Sequence, residues 1–250
     1  FQFNFDAVQC SGDYEPSLLA YVRYIQGKNT MLPGVLLKPE DTATPGLALP
    51  SEEWVMADVN EIPYDNYNNM YKNDLNKFCG IPQRQELVVP AVKGCPVGCA
   101  FCDVPFMQGK KERRMPVDNV VAYIEDSFNK QPFEYFTFYA PTFTLNHNWV
   151  NEFCEKMIAK ERRYPWKCVT VLKRLNQPII ENMAKAGCIR ISLGIESFTH
   201  EAALGLPKVK REVYDDFVEV VELCKQNGIE INCFVILGLP GDTPENVQNT

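Results

Sequence analysis

The chain has 250 residues, 46% apolar and 23% charged, the balance of a globular protein that can bury a core. Asp and Glu number 32 against 25 Lys and Arg, a net charge of −7, which argues against a broad nucleic-acid-binding surface. No apolar run is long enough to span a bilayer, so neither nucleic acid nor membrane is an expected partner. Ten cysteines without a secretory signal predict a reducing, cytoplasmic compartment rather than a disulfide framework. The chain opens at Phe1 and stops at Thr250 inside an apparent helix, and so reads as a fragment of a longer protein.

Phe1 to Val8 alternates and is rich in aromatics, the pattern of a buried strand. Cys10-Ser11-Gly12-Asp13-Tyr14-Glu15-Pro16 turns from it into a helix with Leu18, Leu19, Val22 and Ile25 at helical spacing and Gly27 as the stop. A lone strand and helix cannot fold by themselves, so the rest of that layer is expected upstream of Phe1. Lys28 to Gln85 is rich in Pro, Gly, Asn and Tyr without a long periodic run and reads as a linker. A strand predicted over Glu86 to Val92 then runs into Lys93-Gly94-Cys95-Pro96-Val97-Gly98-Cys99-Ala100-Phe101-Cys102.

Three cysteines at C-x-x-x-C-x-x-C spacing on one tight loop can hold three corners of a cubic iron–sulfur cluster, because soft thiolates suit iron. No fourth cysteine is close by, so one iron would keep an open position. A zinc site would show paired C-x-x-C motifs or a Cys/His quartet, but His147 and His200 lie far downstream. A ferredoxin would supply the fourth cysteine. The basic run from Lys110 to Arg114 is either a solvated loop or a device that folds Arg113 or Arg114 back onto a carboxylate or phosphate near the cluster.

Beyond the loop, a helix starts at Pro116 with Val120, Val121, Ile124 and Phe128 on one face. There follow a strand over Glu134 to Tyr139, a loop at Ala140-Pro141-Thr142-Phe143-Thr144, and a helix from His147 to Lys160. Next come a strand over Trp166 to Leu172 and a helix with Ile179, Ile180 and Met183 that ends at Gly187. The strand Cys188 to Leu193 leads to Gly194-Ile195-Glu196-Ser197, where a carboxylate at the mouth of an apolar strand is costly for mere packing. A helix from Glu212 to Asn227 turns Val213, Phe217, Val220, Val221 and Cys224 inward. The strand Glu230 to Leu237 then ends in Gly238-Leu239-Pro240-Gly241-Asp242, with a new helix from Thr243-Pro244. Strands and helices alternate at least five times after Glu86. That alternation predicts an α/β protein whose parallel βα units close into a full or partial barrel with chemistry at the C-terminal strand ends. The other cysteines (Cys10, Cys79, Cys154, Cys168, Cys188, Cys224 and Cys233) read as small core residues.

The cysteine spacing, with Phe101 just before the last cysteine, resembles the signature of the radical S-adenosylmethionine (radical SAM) superfamily. The resemblance implies a partial TIM-type barrel in which Cys95, Cys99 and Cys102 hold a 4Fe-4S cluster. Its open iron would chelate the amino and carboxylate groups of SAM, and one-electron reduction would cleave SAM to methionine and a 5'-deoxyadenosyl radical. Gly-Ile-Glu-Ser resembles the superfamily's ribose-binding strand end, which implies Glu196 as acceptor for the SAM hydroxyls, with Ser192 and Ser197 beside it. Ile236 and Gly238 match the adenine-side segment, and Phe101 joins the cofactor-binding set. In some branches the end of the strand at Tyr139 holds the SAM amino group; here Ala140-Pro141 replace an acidic run and leave Tyr139 and Thr142 as candidates.

Asp6, Gly12, Asp13 and Glu15 carry a resemblance to the last βα unit of a cobalamin-binding Rossmann-like domain, an ordinary βα turn being the alternative. The implied organisation is the end of that domain at 1–27, a linker at 28–85 whose aromatics pack on the barrel, and the radical SAM barrel at 86–250. The implied activity is cobalamin-dependent methylation of an unactivated carbon in a peptide or small natural product, with flavodoxin or ferredoxin as electron donor. Methylthiolation or rearrangement, and a non-catalytic iron–sulfur protein for electron transfer or sensing, are the alternatives.

Overall fold

The structure is a computed structural model that describes residues 5–28, 31–42, 44–71, 73, 85–198, 206–211 and 214–249. Cys79, His200 and Val213 lie outside the described residues, as do Phe1 to Asn4. In chain order the elements are β1 (Val8–Gln9), α1 (Tyr14–Ile25), β2 (Val35–Leu36), α2 (Tyr64–Tyr71), β3 (Glu86–Val89) and β4 (Val92–Lys93). Then come α3 (Val104–Met107), β5 (Arg113–Arg114), α4 (Val117–Lys130), β6 (Tyr135–Phe138), α5 (His147–Ile158) and β7 (Trp166–Thr170). The last are α6 (Gln177–Lys185), β8 (Cys188–Glu196), α7 (Tyr214–Gln226), β9 (Glu230–Val235) and α8 (Pro244–Asn249). Two compact units result, residues 1–54 with 93–114 and residues 55–92 with 115–250. No helix of the described residues is long and apolar enough to cross a membrane.

In the smaller unit, β1 pairs antiparallel with β2, Val8 opposite Leu36 and Gln9 opposite Val35. The strand expected over Phe1 to Val8 is therefore confined, among the described residues, to Val8–Gln9, and its partner comes from the stretch read as linker. Gly34 makes the return possible: its φ is +71°, and a Cβ there would stand 2.3 Å from the Ser11 carbonyl oxygen. Helix α1 ends before Gly27 as expected, but Leu18, Leu19 and Ile25 are exposed, since strands of two residues are too short to cover them.

The larger unit is built on a five-stranded parallel sheet in the order β3-β6-β7-β8-β9, the α/β partial barrel that the alternation predicted. One face lies under the helices. Phe136, Phe138, Phe143, Phe153 and Trp166 are fully buried there, with Phe138 stacked 4.4 Å from Phe143 and edge-on 5.0 Å from Phe153. Asn146 caps α5 and Asn176 caps α6 by accepting from backbone amides, which fixes where those crossovers begin. Along β8 the residues Ile191, Leu193 and Ile195 take the face under the helices, so Ser192, Gly194 and Glu196, also buried, fall on the other. That second face is polar near its base, where Lys167 pairs with Glu86 at 2.9 Å.

Two local expectations change. The strand predicted over Glu86 to Val92 stops at Val89, because Pro90 has no N–H for the ladder and the Ala91 amide turns back to the Val89 carbonyl at 2.9 Å. The linker contains α2, whose short polar sequence hides its periodicity; Tyr64 on it packs edge-on against Phe133 at 4.8 Å.

The two sheet faces give a direct comparison. Phe138→Ala should cost about 3–5 kcal/mol in chemical denaturation, and Val88→Ala, on the open face, no more than about 0.5 kcal/mol.

Candidate functional site

The cysteine loop lies wholly in the smaller unit. Gly94 has φ +84°, and a Cβ there would meet the Lys111 carbonyl oxygen at 2.2 Å, so only glycine allows the two loop flanks this close. The Gly94 amide donates to Gln108 Oε1 at 3.2 Å, and the Cys95 amide to the Gly109 carbonyl at 3.1 Å. Gly98 is also left-handed, at φ +74°, and the Cys102 amide closes a turn onto the Cys99 carbonyl at 3.1 Å. All three cysteines are present as thiols; Cys95 is buried, Cys99 and Cys102 are half-buried, and Phe101 is exposed.

Among the described residues no group of three His, Cys, Asp or Glu side chains is placed to hold a single metal ion. Three cysteines on one loop are a donor set that fits a cubic iron–sulfur cluster, because soft thiolates suit iron.

The flanks of the loop are held by charge. Arg113 forks onto Asp13, with Nη1 donating to Oδ2 at 2.7 Å and Nη2 to Oδ1 at 3.0 Å. Lys93 donates to Glu15 at 2.9 Å, and Arg114 to Glu112 at 2.9 and 2.6 Å. The basic run thus divides: Arg113 and Arg114 fold back onto carboxylates, whereas Lys110 and Lys111 are exposed. Burial pushes the Asp13 carboxyl up, but the Arg113 bond, the Leu49 amide and the Lys93 charge together outweigh it and hold the group below the ordinary aspartate value.

In the larger unit the C-terminal ends of β8 and β9 bring the predicted residues Glu196 and Ile236 together. Glu196 ends β8 with φ +67°, a left-handed conformation that side chains rarely adopt, and its carbonyl accepts from the Ile236 amide at 2.8 Å. Its carboxylate accepts from Lys210 Nζ, which also donates to the Gly194 carbonyl at 2.9 Å. The whole residues are 6% and 8% exposed. Gly194 leaves the room for this pair, since a Cβ there would stand 2.5 Å from Lys210 Nζ and 2.8 Å from Glu196 Oε1. Ser192 is buried on the same face and accepts from Asn232 at 3.4 Å; Ser197 is buried next to Glu196.

Gly238 lies farther out. Its amide and that of Leu239 both donate to Asp242 Oδ2, at 2.9 and 2.8 Å, closing an exposed turn. Of the two candidates at the end of β6, Tyr139 is exposed and Thr142 buried. Cys154, Cys168, Cys188 and Cys224 are buried core residues as expected, while Cys10 and Cys233 are half-buried. Sequence reasoning missed Lys210 and Asp13 as partners; the lysine's only local signal is its place in a Lys-Val-Lys step.

A parallel sheet with a buried carboxylate at a strand end, and a separate loop carrying three cysteines, define an α/β protein with two candidate sites. The sequence model of the radical SAM superfamily matches residues 89–250, and the chain belongs to that superfamily. It is 27% identical over 178 residues to the anaerobic magnesium-protoporphyrin IX monomethyl ester cyclase of Rubrivivax gelatinosus, covering 70% of this chain and 31% of that protein. It is 26% identical over 170 residues to the bacteriochlorophyllide d C-12(1)-methyltransferase of Chlorobaculum tepidum, covering 66% of this chain and 36% of that one. The chain thus spans about a third of the length of these curated relatives. Its fold is similar to the radical SAM methyltransferase TsrM from Kitasatospora setae, solved with cobalamin and a 4Fe-4S cluster bound. The TM-score is 0.72 at 18% identity, covering 99% of this chain and 50% of that one.

Two tests follow from the charges. Lys210→Met leaves a buried carboxylate without its cation and should cost about 3–5 kcal/mol, whereas Lys210→Met with Glu196→Gln should cost clearly less in the same denaturation assay. Asp13, lowered in the folded state, contributes its full stability above the ordinary carboxylate range and loses it as pH falls through the lowered value. The gap in melting temperature between the parent and Asp13→Asn should therefore shrink between about pH 5 and about pH 2.

Proposed function

We propose that the protein is a radical SAM enzyme that cleaves SAM reductively and, as a whole protein, methylates an unactivated carbon of a peptide or small natural product with the help of cobalamin. The observation that supports the first part is the cysteine loop, with its three thiols on one glycine-pinned turn. Cys95, Cys99 and Cys102 would hold three irons of a 4Fe-4S cluster, leaving the fourth open to the amino and carboxylate groups of SAM. Once bound, cluster and SAM supply one-electron chemistry able to take hydrogen from an unactivated carbon.

The chain's own residues do the rest. The buried carboxylate of Glu196, oriented by Lys210, would accept hydrogen bonds from the ribose hydroxyls. Ser192 lies on the same face of β8, Phe101 beside the cysteines, and the backbone at Ile236 and Gly238 after β9, where the adenine would be met. Burial around Glu196 excludes water from the hydroxyl contacts.

Cobalamin is supported by the structural neighbour TsrM, solved with cobalamin bound. Asp13 and Glu15, which carry the resemblance to a cobalamin-binding domain, are engaged by Arg113 and Lys93. The likeness to an anaerobic cyclase favours one second reading, a radical SAM reaction other than methylation.

The test uses full-length protein, reconstituted without oxygen and incubated with SAM and a strong reductant. Both 5'-deoxyadenosine and S-adenosylhomocysteine should form, and both should fall by at least about 100-fold in the Cys95→Ala/Cys99→Ala/Cys102→Ala variant. 5'-Deoxyadenosine alone would move the assignment to the non-methylating reading. Neither product, with the cluster intact, would favour an electron-transfer or sensor protein.

A further inference from the structure

Asp13 stands at the N-cap of α1, where an aspartate ordinarily accepts from an amide of the first helical turn, yet its side chain makes no such bond. Its carboxylate, with a side chain 2% exposed, is given instead to Arg113, a residue 100 positions away. Both terminal nitrogens of the guanidinium are then doubly engaged. Beyond its two bonds to Asp13, Nη1 donates to the Leu49 carbonyl at 2.8 Å and Nη2 to the Gln108 carbonyl at 2.9 Å, with the Trp54 ring centre 5.5 Å from Cζ. Leu49 completes the arrangement by donating its amide to Asp13 Oδ2 at 2.7 Å.

Gln108 is where this network reaches the cysteines. Its side chain accepts from the Gly94 amide, and its neighbour Gly109 accepts from the amide of Cys95. A continuous path therefore runs from Asp13 through Arg113 and Gln108 to the first cysteine. The path has little slack, because Gly94 already lies as close to Lys111 as a residue without Cβ permits. A bidentate carboxylate–guanidinium pair fixes direction as well as distance, which a hydrophobic contact of equal strength would not.

We propose that Asp13 is a positioning residue for the cysteine loop: through Arg113 and Gln108 it sets where Cys95 presents its sulfur, and hence how the open iron meets SAM. This rests on the reading of Cys95, Cys99 and Cys102 as cluster ligands. Asp13→Asn removes the charge and one of the two acceptors; Arg113→Lys keeps the charge and loses the fork; Asp13→Glu keeps a carboxylate able to accept both bonds.

The experiment reconstitutes full-length parent and variants without oxygen and records three quantities. These are iron and sulfide content, the electron paramagnetic resonance spectrum of the reduced cluster with and without SAM, and 5'-deoxyadenosine formation against SAM concentration. Asp13→Asn and Arg113→Lys are expected to hold a cluster yet show a weakened spectral response to SAM, with KM for SAM raised about tenfold or more and kcat changed less. Asp13→Glu should recover much of both. A parental spectral response, with KM within about twofold of the parent in Asp13→Asn or Arg113→Lys, would overturn the proposal. So would variants that only unfold or lose the cluster in step with their thermal stability, which would mark the pair as a structural staple. A parent protein that assembles no cluster would instead overturn the cluster reading itself, whatever the variants do.

Discussion

Parallel strand pairing is the constraint on which the larger unit depends. Each strand of β3-β6-β7-β8-β9 must be followed by a crossover before the next can pair, so β6, β7, β8 and β9 all release their following loops along one edge. The crossovers cover one face, and the aromatic slab of Phe136, Phe138, Phe153 and Trp166 is what that face buries. The other face is not filled by that slab, and Ser192, Gly194 and Glu196 present small or polar groups there. β8, paired with β7 on one side and β9 on the other, is the strand that carries the candidate carboxylate.

Both candidate sites use the same physical solution to a shared problem. A carboxylate taken out of water must be paired, and the partner then ties a distant segment to the spot. Lys210 serves Glu196 at the end of β8, while Arg113 serves Asp13 beside the cysteine loop. The left-handed backbone at Glu196 adds local strain, held by the Ile236 amide just past the neighbouring strand. Such pairs contribute modestly to net stability, because desolvation offsets most of the attraction. Their consequence is orientation.

The features legible in the sequence are those written within a few residues of each other. The cysteine spacing occupies one loop, the βα alternation repeats at short range, and Glu196 is conspicuous because it closes an apolar run. Asp13 with Arg113 and Glu196 with Lys210 were not legible, since nothing near either acid names its partner. The pairing of β1 with β2 depends on a close approach at Gly34, again invisible in a pattern of apolar residues. The break at Pro90 is different: the missing N–H is a local property, and the apolar run on both sides of the proline masked it.

The central claim is an iron–sulfur cluster with one iron not held by cysteine. Mössbauer spectroscopy on full-length protein, reconstituted with Mössbauer-active iron and titrated with SAM, tests it most directly. The account predicts a 4Fe-4S cluster in which a single iron changes its spectral parameters as SAM binds while the others do not. A cluster whose irons all remain unchanged at saturating SAM, or iron bound as isolated ions, would contradict it.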